Sequence, residues 1–183
     1  EGRRLHGFTT PAEMRDKFAM CVRQPVGLCG LITPWNFPMA IPSWKLIPAL
    51  ICGNTVVIKP AEDTPWTGLE LYRIYHEAGL PDGVFNLLFG RREQIGDPLW
   101  QHPGVDGVVF TGSKAVGMRI HAGLSRRWIK PCLLELGGKN ATIVLSTADL
   151  DAAAEGVMRS GFSLQNQKCS ATSRVYVQRE VLA

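Results

Sequence analysis

Short apolar segments recur along this chain, and stretches of helical composition separate them. This alternation constrains the fold more than any other feature. The segments 26–33 (VGLCGLIT), 55–59 (TVVIK), 84–88, 107–111 (GVVFT), 132–136, 141–145 and 174–178 read as strands. Residues 39–52 have helical composition, but Pro42 and Pro48 interrupt them and predict two short helices. A longer helix is predicted from Thr64, as N-cap, through Pro65 to Ala78, with Gly79 as its stop. Further helices are predicted over 93–101 and 113–124, and over 150–162 behind an Asp149 cap. Strands alternating with helices imply βαβ units, a parallel sheet and right-handed crossovers. The first 24 residues lack a helix period, and a weak alternation over 17–23 predicts a hairpin outside the main sheet.

Composition narrows the function. The chain has 183 residues, enough for one domain or one plus part of a second. Its net charge is +4 and no block of like charges stands out, the densest basic spot being Arg126, Arg127 and Lys130. This argues against a nucleic-acid partner. No apolar run approaches the ~18 residues a membrane span needs, since 41–58 is broken by Pro42, Lys45, Pro48, Gly53 and Asn54. No membrane partner and no signal peptide are expected. The chain opens on Glu1 rather than Met, so we expect a piece of a longer protein. Five scattered cysteines without a CxxC pair, and four scattered histidines, argue against a disulfide framework and a metal site. A reducing, cytoplasmic compartment is the expectation.

In an open parallel sheet, ligands bind beyond the C-terminal strand ends. Four loops are predicted to crowd that rim: Thr33-Pro34-Trp35-Asn36, Lys59 to Asp63, Gly112-Ser113 opening a helix, and Gly137 to Asn140. Gly112 and Ser113 could present N–H groups and a hydroxyl to a phosphate. Lys59 and Glu62 could meet ribose hydroxyls, or simply form an exposed ion pair. Glu135 interrupts an apolar strand before two glycines, which suggest close backbone approach, and could act as a general base or simply face water at a strand edge. Cys169 sits in a polar loop, whereas Cys21, Cys29, Cys52 and Cys132 read as buried small hydrophobes.

Together the motifs resemble the aldehyde dehydrogenase superfamily. The carrying segments are PWNFP (34–38), GNTVVIKPAEDTP (53–65), EAGLPDGVFN (77–86), FTGSKAVG (110–117), LELGGKN (134–140) and QNQKCSATSR (165–174). The resemblance implies a Rossmann-like parallel α/β sheet with flanking helices over 25–136. It implies an oligomerisation hairpin over 1–24 and the start of an α/β catalytic domain over 137–183. Cys169 would be the nucleophile, and Asn36 with the Cys169 N–H the oxyanion hole. Glu135 would activate the hydrolytic water, and Lys45 would act in proton relay or electrostatics. For a bound NAD, Lys59 and Glu62 would meet the adenosine ribose, Gly112 and Ser113 the pyrophosphate, and Val116 the adenine. Thr33, Pro34, Trp35 and Leu136 would line the nicotinamide side. Glu62 favours NAD by repelling a 2′-phosphate, while Lys59 keeps NADP open. The implied partner is a small aldehyde, with flanking residues similar to glutamate semialdehyde (1-pyrroline-5-carboxylate) and 2-oxoglutarate semialdehyde dehydrogenases. The parent enzyme would be a homodimer or homotetramer.

Two departures from the family pattern stand out. Asn166 occupies a position usually held by Gly, and Arg91-Arg92 replaces a smaller loop. The family's remaining catalytic domain would lie outside this chain. We therefore expect the chain alone to be inactive or weak, and a truncated, non-catalytic dinucleotide-binding module is the alternative reading.

Overall fold

The computed structural model describes residues 2–124, 126 and 129–182. Arg127, part of the basic spot noted above, lies outside them. The strands are β1 (Phe8–Thr10), β2 (Ala19–Cys21), β3 (Leu28–Ile32), β4 (Thr55–Lys59), β5 (Phe85–Leu87), β6 (Gly107–Thr111), β7 (Cys132–Glu135), β8 (Asn140–Val144) and β9 (Thr172–Val177). The helices are α1 (Ala40–Ile51), α2 (Pro65–Glu77), α3 (Asp97–Gln101), α4 (Lys114–Leu124) and α5 (Leu150–Phe162).

Three sheets follow one another along the chain. β1 and β2 form an antiparallel ribbon. A parallel five-stranded sheet has the order β5-β4-β3-β6-β7, and β8 pairs parallel with β9 in a separate two-stranded sheet. The α/β reading of the sequence therefore holds, with the hairpin outside the main sheet.

Side-chain alternation builds two cores. Cys29, Leu31, Val56, Ile58 and Phe85 point to one face and meet Leu46 of α1 and Leu71 of α2. Val108 and Phe110 point to the other and meet Leu99, Trp100, Ile120 and Leu124 of α3 and α4. Leu31, Leu46, Val56, Ile58, Val108 and Ile120 are at most 1% exposed. Each fully buried side chain of this size contributes about 1.5–3 kcal/mol. The chain thus winds outward from β3 through β4 to β5, then restarts at β6 on the other side of β3. The reversal between β3 and β6 opens a crevice at their C-terminal ends, where α/β sheets bind ligands.

Several local expectations need correction. Residues 40–51 form one helix, not two: Pro42 falls in the first turn, where its missing N–H costs nothing, and Pro48 is carried inside the helix. Thr64 precedes α2, but its side chain makes no capping hydrogen bond. Residues 92–96 form a turn of π-helix, and only 97–101 are α-helical. Asp149 caps α5 as predicted, its carboxylate accepting from the Ala152 N–H at 3.1 Å. Cys29 is buried, but Cys21 and Cys52 are exposed. Cys21 lies on the ribbon, whose strands are almost wholly exposed, and Cys52 lies just past the end of α1. Among the described residues, no helix is long and apolar enough to cross a membrane.

Candidate active site at the sheet rim

The ladder carries past the strand ends at the switch point. The Thr33 N–H donates to the Lys59 carbonyl at 3.2 Å, and the Gly112 N–H donates to the Glu135 carbonyl at 3.1 Å. Four loops therefore leave one rim at the same level. Among the described residues, four buried side-chain oxygens lack a hydrogen-bond partner: Thr33 Oγ1, Asn36 Oδ1, Thr64 Oγ1 and Thr111 Oγ1. All four belong to the ends of β3, β4 and β6 or to the loops that follow. Leaving a buried polar group unpaired costs about 1–3 kcal/mol, so these oxygens are candidates for contact with a polar ligand.

On the α3–α4 face, a pocket of 170 Å³ is lined by Ile32, Lys59, Arg92, Gly96, Asp97, Trp100, Phe110, Val116 and Ile120. Lys59 is 6% exposed and its Nζ donates to the Pro60 carbonyl at 3.0 Å. Burial lowers its pKa, while Glu62 and Asp63 partly restore it. The simple exposed Lys59–Glu62 pair is therefore wrong. Lys59 lies under the rim, and exposed Glu62 faces Arg91 Nε at 3.9 Å. Asp97 ties this region together, accepting from Trp100 Nε1 at 3.0 Å and from Arg119 Nη2 at 2.6 Å. Gly112 is required where β6 turns into α4, because a Cβ there would stand 2.5 Å from the Phe110 ring. Its N–H is spent on Glu135, which leaves anion contacts to Ser113 and the following helical turn. Ser113 Oγ accepts from the Val116 N–H at 3.4 Å. Leu136 packs partly into the α4-side core.

On the α1 face, a groove of 560 Å³ runs along β6 and β7 beside α1. Its floor is apolar, with Val108, Val109, Leu133 and Leu134, while Lys45, Thr111, Glu135 and Cys169 line its rim end. Thr111 and Glu135 are register partners on adjacent strands. Burial lowers the Lys45 pKa, and the Glu135 carboxylate partly raises it again. A carboxylate, an amine and a thiol thus share one opening, although Lys45 and Cys169 lie more than a hundred residues apart in sequence.

Cys169 is exposed in the loop joining α5 to β9. Side-chain amides hold that loop. Asn36 Nδ2 donates to the Gln167 carbonyl at 2.8 Å. Asn140 Nδ2 donates to the Cys169 carbonyl, and Asn166 Nδ2 donates to the Gly161 carbonyl at 2.8 Å. Leu164, Gln165 and Asn166 have φ of 51°, 57° and 62°. Left-handed backbone costs a non-glycine residue about 1–3 kcal/mol. Asn tolerates it best, and Leu and Gln do not. Gly138 is pressed against the same loop, since a Cβ there would lie 3.1 Å from the Cys169 carbonyl oxygen. The close approach expected from the Gly137-Gly138 pair is therefore to the cysteine loop.

The family model for the aldehyde dehydrogenase family matches residues 1–183. The chain belongs to the aldehyde dehydrogenase family. It is 49% identical to the alpha-ketoglutaric semialdehyde dehydrogenase of Bacillus subtilis, over 97% of this chain and 36% of that protein. It is 44% identical to human retinal dehydrogenase 2, over 97% of this chain and 34% of that protein. The NAD+ complex of an aldehyde dehydrogenase from Bacillus cereus superposes with a TM-score of 0.93 at 40% identity, over 98% of this chain and 36% of that one. The chain thus spans about a third of the length of the relatives it matches.

Within this aldehyde dehydrogenase chain, the residues singled out from sequence fall into two groups. Lys59 and Val116 line the small pocket, with Ser113 at the start of α4 behind them. Lys45, Glu135 and Cys169 line the rim end of the groove, and Asn36 reaches the Cys169 loop. Thr33 is buried just past β3 and Pro34 is half-buried, while Trp35 is 41% exposed. Sequence reasoning missed the unpartnered hydroxyls of Thr64 and Thr111, the π-turn with Arg92, and the grip of Asn140 on the Cys169 carbonyl. Only Asn140 carried a signal, as the polar residue just beyond the double glycine. Among the described residues, no group of three or more His, Cys, Asp or Glu side chains could hold a metal.

Proposed function

We infer that this chain carries the dinucleotide site and nucleophile loop of an enzyme that oxidises an aldehyde to its carboxylic acid with NAD(P)+. The observation that carries the reading is the meeting of Lys45, Glu135 and Cys169 at one end of a single groove. The residues present fit a dinucleotide. The apolar slot beside Lys59 and Val116 suits an adenine, and Ser113 with the start of α4 suits a pyrophosphate. The unpartnered Thr33 and Asn36 oxygens suit donors on the nicotinamide side. When bound, the oxidised nicotinamide supplies the hydride acceptor.

The protein's own steps follow from these positions. The Cys169 thiolate forms a C–S bond to the aldehyde carbon, and the carbonyl electron pair moves to oxygen. Asn36 donates to that oxyanion together with the Cys169 N–H. One Nδ2 hydrogen of Asn36 is held by Gln167 and the second remains for the oxyanion. Loss of hydride from the same carbon leaves a thioester on Cys169. Glu135 takes a proton from water as the water oxygen adds to the thioester carbonyl, and the C–S bond then breaks to release the acid. Lys45 stands beside Glu135 at the same end of the groove and supplies an amine to the charge balance there.

We further propose a semialdehyde substrate of the glutamate or 2-oxoglutarate type, which the Bacillus subtilis relative supports. NAD is favoured by Glu62, and Lys59 leaves NADP usable. We read 1–24 as an oligomerisation hairpin of a homodimer or homotetramer, supported by its exposed Phe8, Phe18 and Met20. We read 25–136 as the cofactor domain and 137–183 as the start of the catalytic domain, in a cytoplasmic protein. The test is aldehyde-dependent NADH formation by the purified protein, with and without Cys169→Ala. Turnover should fall by more than about a thousandfold while NAD+ binding persists. Undiminished turnover in the variant would overturn the mechanism. Binding of NAD+ with no acyl group trapped on Cys169 would favour the non-catalytic module.

A further inference from the structure

We propose that Asn166 is a positioning residue for the nucleophile, closing the base of the Cys169 loop with its side-chain amide. The loop leaves α5 at Phe162 and enters β9 at Thr172. Asn166 Nδ2 donates to the Gly161 carbonyl at 2.8 Å and to the Thr172 carbonyl at 3.3 Å. One amide group thus bridges the two ends of the loop. Gly161 lies in the last turn of α5, where carbonyls have no intrahelical donor, so the bond satisfies a group that the helix end exposes. The far end is anchored too: Thr172 Oγ1 lies 2.7 Å from Ser160 Oγ and 2.8 Å from Thr142 Oγ1, tying α5, β9 and β8.

The bridge opposes a specific strain. Leu164 and Gln165 precede Asn166 in left-handed backbone, which neither side chain favours. Without a closing contact the turn would relax toward right-handed backbone, and Cys169, three residues on, would move with it. A glycine at 166 would permit the backbone but could not make either bond. Asn166 therefore supplies a side-chain bridge in addition to a tolerated φ.

This proposal rests on the reading of Cys169 as the reactive thiol, but its test does not need dehydrogenase turnover. The measurement is iodoacetamide alkylation of each cysteine, resolved by peptide mass spectrometry, in wild type and Asn166→Gly. Exposed Cys52 serves as the reference, and buried Cys29 reports global opening. Asn166→Gly should change the Cys169 rate relative to Cys52 by about three- to tenfold, the worth of one net hydrogen bond, with Cys29 still protected. Leu164→Gly added to Asn166→Gly should bring the Cys169 rate back toward wild type, because the relaxed turn no longer pulls the loop open. An unchanged Cys169 rate would overturn the bridge. A rise at Cys29 as well would show that Asn166 supports the whole unit and not the loop, and would overturn the proposal equally. Failure of the second glycine to restore the rate would remove strain from the account. NADH formation is measured separately in the full-length protein: its absence there would refute the proposed function and leave the alkylation result standing.

Discussion

The two halves of the site are held by different physics. Glu135, Thr111, Thr33 and Lys59 stand at the ends of parallel strands, fixed by backbone ladders and by cores on both faces of the sheet. Cys169 stands on a loop held mainly by amide side chains and containing three consecutive left-handed residues. The base, on this reading, is built into the rigid scaffold, and the nucleophile is mounted on a strained bracket. Such a division suits a two-step reaction. The thiol must accept a carbon, carry it as a thioester and release it, whereas the base needs only a fixed aim.

The largest effect should come from removing the fixed half alone. Glu135→Gln keeps the shape of the β7 end and removes the proton acceptor. Thioester formation should proceed and hydrolysis should slow by about 10²–10⁴-fold, the usual worth of a positioned base. Acid quench and intact-mass analysis should then find an acyl group on Cys169, with NADH formed in a single burst. Loss of both burst and acyl-enzyme would mean that Glu135 also prepares the thiol, and the division of labour would collapse.

The same contrast explains what the sequence could reveal. β3, β4 and β6 were legible because strands buried on both faces must be apolar throughout, and the half-exposed edge strand β7 carries a similar apolar run. Glu135 was conspicuous because it breaks that rule. The rim loops then follow from topology alone. The cysteine loop obeys no such rule. Leu164 and Gln165 are ordinary residues for right-handed backbone, and nothing local foretells their positive φ. Asn166 did signal it, because Asn is the next most tolerant residue after Gly. Pro48 misled for a related reason: propensity argues for a break, but packing of Leu46, Ala49 and Leu50 on the sheet holds α1 together. The Arg92–Gly96 π-turn was hidden because a π-turn differs from an α-turn by one residue of spacing and shares its composition.

A smaller effect tests the seam between the halves. Gly137 and Gly138 are adjacent, but a Cβ at 137 would meet nothing within 4 Å, whereas one at 138 would press on the Cys169 carbonyl. Gly138→Ala should cost about 1–3 kcal/mol as overpacking and should slow turnover by displacing the loop. Gly137→Ala should be close to neutral in both. Unfolding midpoints and NADH rates of the two variants make the check. Equal behaviour would mean that the loop yields freely, and the bracket would not be rigid.

The smallest effect concerns charge inside the rigid half. Burial holds the folded-state pKa of Lys45 below its ordinary value, with Glu135 pulling it partway back. Between the lowered folded value and the unfolded value, near ~10.4, the unfolded chain binds more protons than the folded one. Stability therefore rises with pH across that interval, the reverse of a lysine that gains a strong partner on folding. Lys59 contributes with the same sign, for the same cause. Cys29 and Cys132 act oppositely. Burial raises their folded pKa values, so their contribution falls as pH climbs past the unfolded thiol range. Lys45 is thus read from the difference between wild type and Lys45→Met in urea midpoints across alkaline pH. The variant should lose part of the upward contribution, so its midpoint should fall relative to wild type as pH rises. Glu135→Gln should do the opposite and widen the interval, because the carboxylate that supports the ammonium is gone. If the two variants shift the profile in the same direction, Lys45 and Glu135 do not sense each other across the groove, and the charged end of the site is two separate surface groups.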